Sequence, residues 1–211
     1  MKIIFLDVET NGLPRDWRAP MNKVDNWPRV IQLAWAMTDE YGFILDQRVD
    51  LIKPDGWQIP NEAFWINNGF SQAKSENEGI PIAEALGHLI DAMNQVEYVV
   101  AHNMNFDYNV VGAEMIRADL RADAKKQKVC TMTISTDLMK LPGRFKGTYK
   151  FPKLEELHQF LFQEAFDGAH DALVDVMACM RCFFELINRE VIVIESPKDL
   201  TVNDVKDGVK V

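Results

Sequence analysis

Asp7 and Glu9 stand two residues apart in F-L-D-V-E-T-N-G, residues 5 to 12, where an apolar run ends in a turn-forming stretch. Residues two apart in an extended chain point to the same face, so both carboxylates are directed at one point beyond the strand. Magnesium or manganese suits such a point, because hard cations take oxygen ligands and keep waters or phosphate oxygens in the rest of the shell. Alone, a D-x-E at a strand end is a weak signal, since many such pairs are simply solvated. A second acid, Asp107, closes A-H-N-M-N-F-D, residues 101 to 107. A third group, A-H-D-A-L-V-D at residues 169 to 175, carries His170 and Asp175. On a regular helix His170 and Asp175 would lie about 140° apart, at roughly 100° per residue, so His170 is expected on the loop leading into the helix. Asp171 reads as that helix's cap. His102 is expected to support the site rather than to ligate a metal.

The elements that must hold these groups follow from periodicity. Residues 2 to 8, 29 to 38 and 43 to 53 read as strands, and the short D-E-Y-G between the last two predicts a hairpin, so three sequential antiparallel strands open the fold. From residue 60 the pattern turns helical, first in I-P-N-E-A-F-W-I-N-N-G and then in P-I-A-E-A-L-G-H-L-I-D-A-M-N-Q. Residues 97 to 101 read as a buried strand, and N-F-D-Y-N-V-V-G-A-E-M-I-R-A-D-L-R as an amphipathic helix with Asp107 near its start. K-V-C-T-M is expected to be a fifth strand, followed by helices around 134 to 140 and 153 to 162 and a long one from about 171 to 189. Both acid clusters thus fall at strand ends.

With 211 residues, the chain is read as one α/β domain over 1–195 with a polar tail over 196–211. A composition of 47% hydrophobic and 26% charged residues fits a soluble globular protein rather than a disordered or membrane one. K-I-I-F-L-D-V is too short and ends in an acid, so it is neither a secretory signal nor a membrane span. The three cysteines are an odd number, which fits a reducing cytoplasm better than a disulfide framework. Cys179 and Cys182 form a C-x-x-C, but no second Cys or His pair accompanies them, and they are read as buried helix packing. The net charge of −9 opposes long contact with a polyanion. A grip on a few terminal nucleotides, with bound cations neutralising the acids, relieves that conflict.

D-x-E, then N-x-x-F-D, then H-x-x-x-x-D, with I-Q-L-A after the first motif, resembles the three motifs of the DEDDh 3′→5′ exonuclease family, which includes the DnaQ-like proofreading subunit of bacterial replicative polymerases. The resemblance runs from residue 2 to about residue 189. It implies a ribonuclease H-like fold, a five-stranded mixed sheet with its first three strands antiparallel and helices on both faces. It also implies that Asp7, Glu9 and Asp175 hold one metal, that Asp7 shares a second with the scissile phosphate, and that Asp107 acts through water. The chemistry agrees: four converging carboxylates repel one another and raise their own proton affinities until divalent ions, Mg2+ or Mn2+, remove the repulsion. Two metals about 3.5 to 4 Å apart promote in-line hydrolysis of a phosphodiester. His170 is the expected general base, because an imidazole near its unperturbed pKa of about 6.5 accepts a proton at neutral pH. The product would be a nucleoside 5′-monophosphate.

Substrate contacts are expected from Thr10, Asn11, Gly12 and Leu13, the loop that contacts the terminal sugar and base in similar exonucleases; the alternative is an ordinary turn. Asn103, Phe106, Phe64 and Trp65 are further candidates, with Phe106 either stacking on a base or anchoring its helix. Residues 140 to 153, K-L-P-G-R-F-K-G-T-Y-K-F-P-K, hold five cations and no acid, and read either as a phosphate-tracking loop or as a solvated one. The expected partner is a single-stranded or frayed 3′ end of DNA, in proofreading or repair; an RNA-directed exoribonuclease of the same family is the alternative, since no motif announces a 2′-hydroxyl contact. A non-catalytic nucleic-acid-binding module is remote, because it would require loss of a metal acid. A ribonuclease H endonuclease would not need His170. No membrane association and no particular protein partner is indicated.

Overall fold

The first strand, β1 (Lys2–Thr10), is apolar on both faces, which is why its hydrophobic run is nearly continuous rather than alternating. In the computed structural model, which describes residues 1–122, 125–166 and 168–194, Ile4, Leu6 and Val8 enter one core and Ile3 and Phe5 the other. β2 (Val30–Asp39) pairs antiparallel with β1, and β3 (Ile44–Leu51) antiparallel with β2. β4 (Tyr98–Ala101) runs parallel to β1, and β5 (Gln127–Cys130) parallel to β4, giving the order β3-β2-β1-β4-β5. This is the five-stranded mixed sheet of the ribonuclease H-like fold. The β2–β3 hairpin turns where Gly42 takes a φ of 88° and the Asp39 carboxylate accepts the Tyr41 and Phe43 N–H groups.

Two short helices, α1 (Ala63–Asn67) and α2 (Gln72–Glu78), precede α3 (Ile82–Met93). Together with α4 (Met104–Arg117), α3 covers the sheet face carrying Ile4, Leu6 and Val8. On the other face α5 (Thr131–Met139), α6 (Leu154–Phe162) and α7 (Ala172–Asn188) pack on Ile3 and Phe5. Phe183 of α7 meets Phe5 edge-on at 5.3 Å.

Two expectations need correction. The fifth strand ends at Cys130, and Thr131 and Met132 already belong to α5, which begins three residues earlier than its apolar pattern suggests. Thr131 is fully buried and its backbone carbonyl accepts the Ser135 hydroxyl, so side-chain bonds start the helix before its apolar stripe does. The polar helix α2 was not expected, because Q-A-K-S-E-N-E has no apolar stripe; a cap at Ser71, whose hydroxyl accepts the Lys74 N–H, supports it. Cys179 and Cys182 are buried in α7 as expected, and burial pushes the Cys182 thiol up to about 12. The tail expected over 196–211 lies outside the described residues. No helix among the described residues is long and apolar enough to cross a membrane.

Candidate active site

Asp7 and Glu9 continue the row of Ile3 and Phe5 and therefore emerge on the α7 side of the sheet, as the period of two requires. Asp107 arrives from the other direction. β4 ends at Ala101, and Asn103 takes a left-handed conformation (φ 81°, ψ 50°) that turns the chain into α4, whose first turn carries Asp107. Asparagine is one of the few residues that adopts this region readily. The Val8 N–H then donates to Asp107 Oδ1 at 3.3 Å, tying the second cluster to the first. Asp175 comes from the first turn of α7. That helix is seated against β2 by Gln32, which lies opposite Glu9 and accepts the Ala172 N–H at 2.8 Å.

The carboxylates share a cleft of about 420 Å³ that is also lined by His102, Asn103, Phe106, His170 and the segment Phe151–Glu155. Crowding sets their acidities. Burial and then the charges of Asp107, Asp175 and Glu9 push Asp7 well above the usual carboxylate range. Burial, opposed by the Val8 N–H, likewise raises Asp107, which is 2% exposed. Glu9 is pushed up to about 7 by burial and by Asp175, and Asp175 to about 6 by burial, opposed by the His170 N–H and ring. Asp7 itself is partly open to the cleft although protein surrounds it on its other sides. An all-oxygen set of mutually repelling carboxylates fits hard divalent cations and offers no thiolate for softer ones. One oxygen each of Glu9 and Asp175 and a His170 ring nitrogen lie within 4.8 Å of one another.

His170 lies outside α7, as its spacing from Asp175 predicts. Its φ of 72° places it in the left-handed region, in a tight turn where the Asp171 N–H donates to Gly168 O at 3.2 Å. That turn aims the His170 N–H at Asp175 Oδ2 (2.9 Å) and brings its ring Nδ1 to 3.9 Å from Glu9 Oε1. Asp171 caps α7 through the Leu173 and Val174 N–H groups. The half-exposed His170 ring packs edge-on against Phe64 at 5.1 Å. His102 is a strut. Because Pro152 O only accepts, Nε2–H donates to it at 3.0 Å, leaving Nδ1 to accept the Thr131 hydroxyl, also at 3.0 Å. Burial holds the His102 imidazole neutral down to about 4.

The expected substrate residues divide into two groups. Asn103 and Phe106 line the cleft, whereas Thr10, Asn11, Gly12, Leu13 and Trp65 form a rim outside its lining. Asn11 exchanges three bonds with its surroundings: its N–H donates to Arg29 O, its side-chain oxygen accepts the Arg29 N–H, and its amide donates to Gln58 O. Trp65 Nε1–H donates to Thr10 O at 3.0 Å, and the Thr10 hydroxyl to Gly12 O at 2.7 Å. Leu13 is 72% exposed at the tip of this braced loop. A Cβ on Gly12 would meet no atom within 4 Å, so nothing inside the protein demands glycine there.

Several supporting residues escaped the sequence reading. Glu114, 1% exposed, accepts from Arg29 Nε (2.8 Å) and from the Val30 N–H (3.1 Å), and pairs with Arg117 at 3.2 Å, so it braces the very strand start that holds Asn11. Trp17 lies against Phe106 at 5.7 Å. Nothing in the local sequence of Glu114 or Trp17 marks these long-range contacts, whereas Glu155, two residues past the basic stretch, lines the cleft.

The chain is similar to known proteins in family and in fold. The family model described as exonuclease, RNase T, matches residues 4–183, which is most of the chain. No curated protein matches the sequence significantly. Among solved structures, Escherichia coli exonuclease I in complex with a dT13 oligonucleotide superimposes with a TM-score of 0.68 at 20% identity, covering 89% of this chain and 41% of that one. The same enzyme with dA16 gives 0.70 at 20% identity, over 90% and 41% of the two chains, and its zinc-bound complex with single-stranded DNA gives the same values. The chain thus spans less than half the length of these structures, and at such identity they speak for the fold. With the motifs in order on this sheet and the family match spanning them, the chain belongs to the RNase T exonuclease family, a divalent-metal-dependent group.

Proposed function

We propose that the protein removes nucleotides one at a time from the 3′ end of single-stranded or frayed DNA, releasing nucleoside 5′-monophosphates. The observation that carries this reading is the His170 turn, which sets an imidazole at the open side of four carboxylates. Asp7, Glu9, Asp107 and Asp175 would hold two divalent cations, Mg2+ or Mn2+. When bound, these ions neutralise the phosphate, lower the pKa of water and stabilise the departing 3′ oxygen. Asp175 orients His170 through the backbone N–H, and His170 accepts the proton of the attacking water at the ring nitrogen that faces the cleft. Asn103 and Phe106 would position the nucleotide beside the carboxylates, while Thr10–Leu13, held by Trp65, would contact the terminal sugar and base. The exposed Leu13 on this braced loop would stand beside the terminal nucleotide, which favours an end over an internal site. Single-stranded DNA bound to structurally similar exonuclease I supports DNA as the polymer.

The test uses a 5′-labelled and a 3′-labelled single strand, of DNA and of RNA, with and without Mg2+. Stepwise shortening from the 3′ end that requires the cation, with DNA cut faster than RNA, is expected. Asp7→Ala should lower kcat by at least about a thousandfold, a loss of the order expected for removing charge stabilisation at the reacting centre. His170→Ala should lower it by about a hundredfold or more. Release of nucleotides from the 5′ end, or undiminished activity in Asp7→Ala, overturns the proposal.

A further inference from the structure

The cleft does not end at the carboxylates. Its wall at Phe151, Pro152 and Lys153 continues into the segment 140–150, which folds back on itself as a small arm. The Gly143 N–H donates to Thr148 O (2.8 Å), the Lys150 N–H to Leu141 O (3.0 Å), and Pro142 bridges Tyr149. Gly143 is required for this closure, because a Cβ there would stand 2.8 Å from the Thr148 carbonyl oxygen. The arm's root is anchored where His102 Nε2–H holds Pro152 O.

Its surface combines two features. Phe145 (69%), Tyr149 (46%) and Phe151 (60%) are exposed, an arrangement that costs solvation unless flat partners cover the rings. Of the five cations, Lys150 is engaged by Glu156 and Lys153 acts on the same carboxylate through space, leaving Lys140, Arg144 and Lys146 with no carboxylate partner among the described residues. Arg144 lies over the Phe145 ring at 5.9 Å. Interleaved aromatics and cations on a braced arm, continuous with the cleft, are what a single strand recognises: each base offers a face for stacking and each phosphate a charge, with no need of sequence. An acidic peptide would match the charges but would leave three rings without flat partners.

We infer that the arm 140–153 is a second binding site of this chain, holding the nucleotides on the 5′ side of the scissile phosphate of a single strand. The inference rests on the proposed reading that the 3′ terminus lies toward Thr10–Leu13, which leaves the strand to exit past Phe151 along the arm. Substrates long enough to reach Tyr149 and Phe145 are therefore held more tightly than those ending within the cleft.

The experiment compares the protein with two exposed-residue variants, F145A/Y149A and R144A/K146A, on dT20 and on the p-nitrophenyl ester of thymidine 5′-monophosphate, which is too small to leave the cleft. Each variant should lower kcat/KM on dT20 about tenfold, carried by KM, while its rate on the ester matches that of the parent protein. Equal kcat/KM on dT20, within a factor of two, in both variants overturns the arm's role and leaves protein docking as its reading. If the parent protein hydrolyses neither dT20 nor the ester with Mg2+ or Mn2+, the proposed chemistry fails instead. Fluorescence anisotropy of labelled dT20 in Ca2+ then still decides the arm: weaker binding by both variants supports it, and unchanged binding overturns it.

Discussion

Asp7, Glu9, Asp107 and Asp175 would be costly to ionise together, and this has a measurable consequence at the level of single residues. All four carboxyls are raised, Glu9 to about 7 and Asp175 to about 6. A carboxyl raised in the folded state stabilises the fold below its unfolded pKa, and that stability is lost as pH rises through the folded value. His102, lowered to about 4, has the opposite slope: its contribution is present above the unfolded value near 6.5 and is lost as pH falls through about 4. The windows overlap, and four carboxyls outweigh one imidazole. In chelator the melting temperature should therefore fall between pH 5 and pH 8, and fall more steeply in His102→Gln. Millimolar Mg2+ should raise it more at pH 8 than at pH 5, because cations bind the deprotonated acids. A melting temperature equally responsive to Mg2+ at both values would argue against metal binding by this cluster. These residue types were legible from sequence because D-x-E and H-x-x-x-x-D are local patterns. Their perturbed acidities were not, since these arise from burial and from neighbours about a hundred residues away, such as Val8 against Asp107.

Among the elements, what matters is how a strand start, a turn and a helix are braced. Glu114 of α4 joins Arg29, Val30 and Arg117, and Arg29 in turn holds Asn11 by two backbone-level bonds. Removing one member of a buried ion pair leaves its partners uncompensated, typically at a cost of about 3 kcal/mol. Glu114→Ala should lower unfolding free energy by about that amount, as read by denaturant titration. It should also raise KM for a single strand more than it lowers kcat, since the rim moves while the carboxylates stay. A kcat loss with KM intact would place Glu114's influence on the acids instead. Sequence periodicity found β1, β2, β4, α3, α4, α6 and α7, whose apolar residues face a core, and β3 was found beside its hairpin turn although most of it is exposed. It missed α2, which has no stripe, and began α5 late, because Thr131 enters that helix through hydrogen bonds rather than hydrophobic spacing. His170 was correctly placed outside α7, but its left-handed φ of 72° follows from the turn with Gly168 and Asp171, not from spacing.

For the whole molecule, a formal charge of −9 opposes contact with a polyanion, and the basic arm 140–153 is the local exception. With three phosphate contacts from Lys140, Arg144 and Lys146, log KM for dT20 should rise with log salt at a slope of about 2, from roughly 0.7 per phosphate on a single strand. R144A/K146A should bring that slope below about 1; an unchanged slope would assign the salt dependence to other cations. The sequence by itself determined which chemical groups are present, that the acids sit where strands give way to turns or helices, and the exonuclease family, because these are properties of residue type and short spacing. The tertiary structure decided that four carboxylates share one cleft, that Asn11 and Trp65 brace a rim, and that the basic stretch folds into an arm at the cleft's edge. Those outcomes depend on contacts such as Val8 with Asp107, Trp65 with Thr10 and His102 with Pro152, which form only when the sheet brings distant segments together.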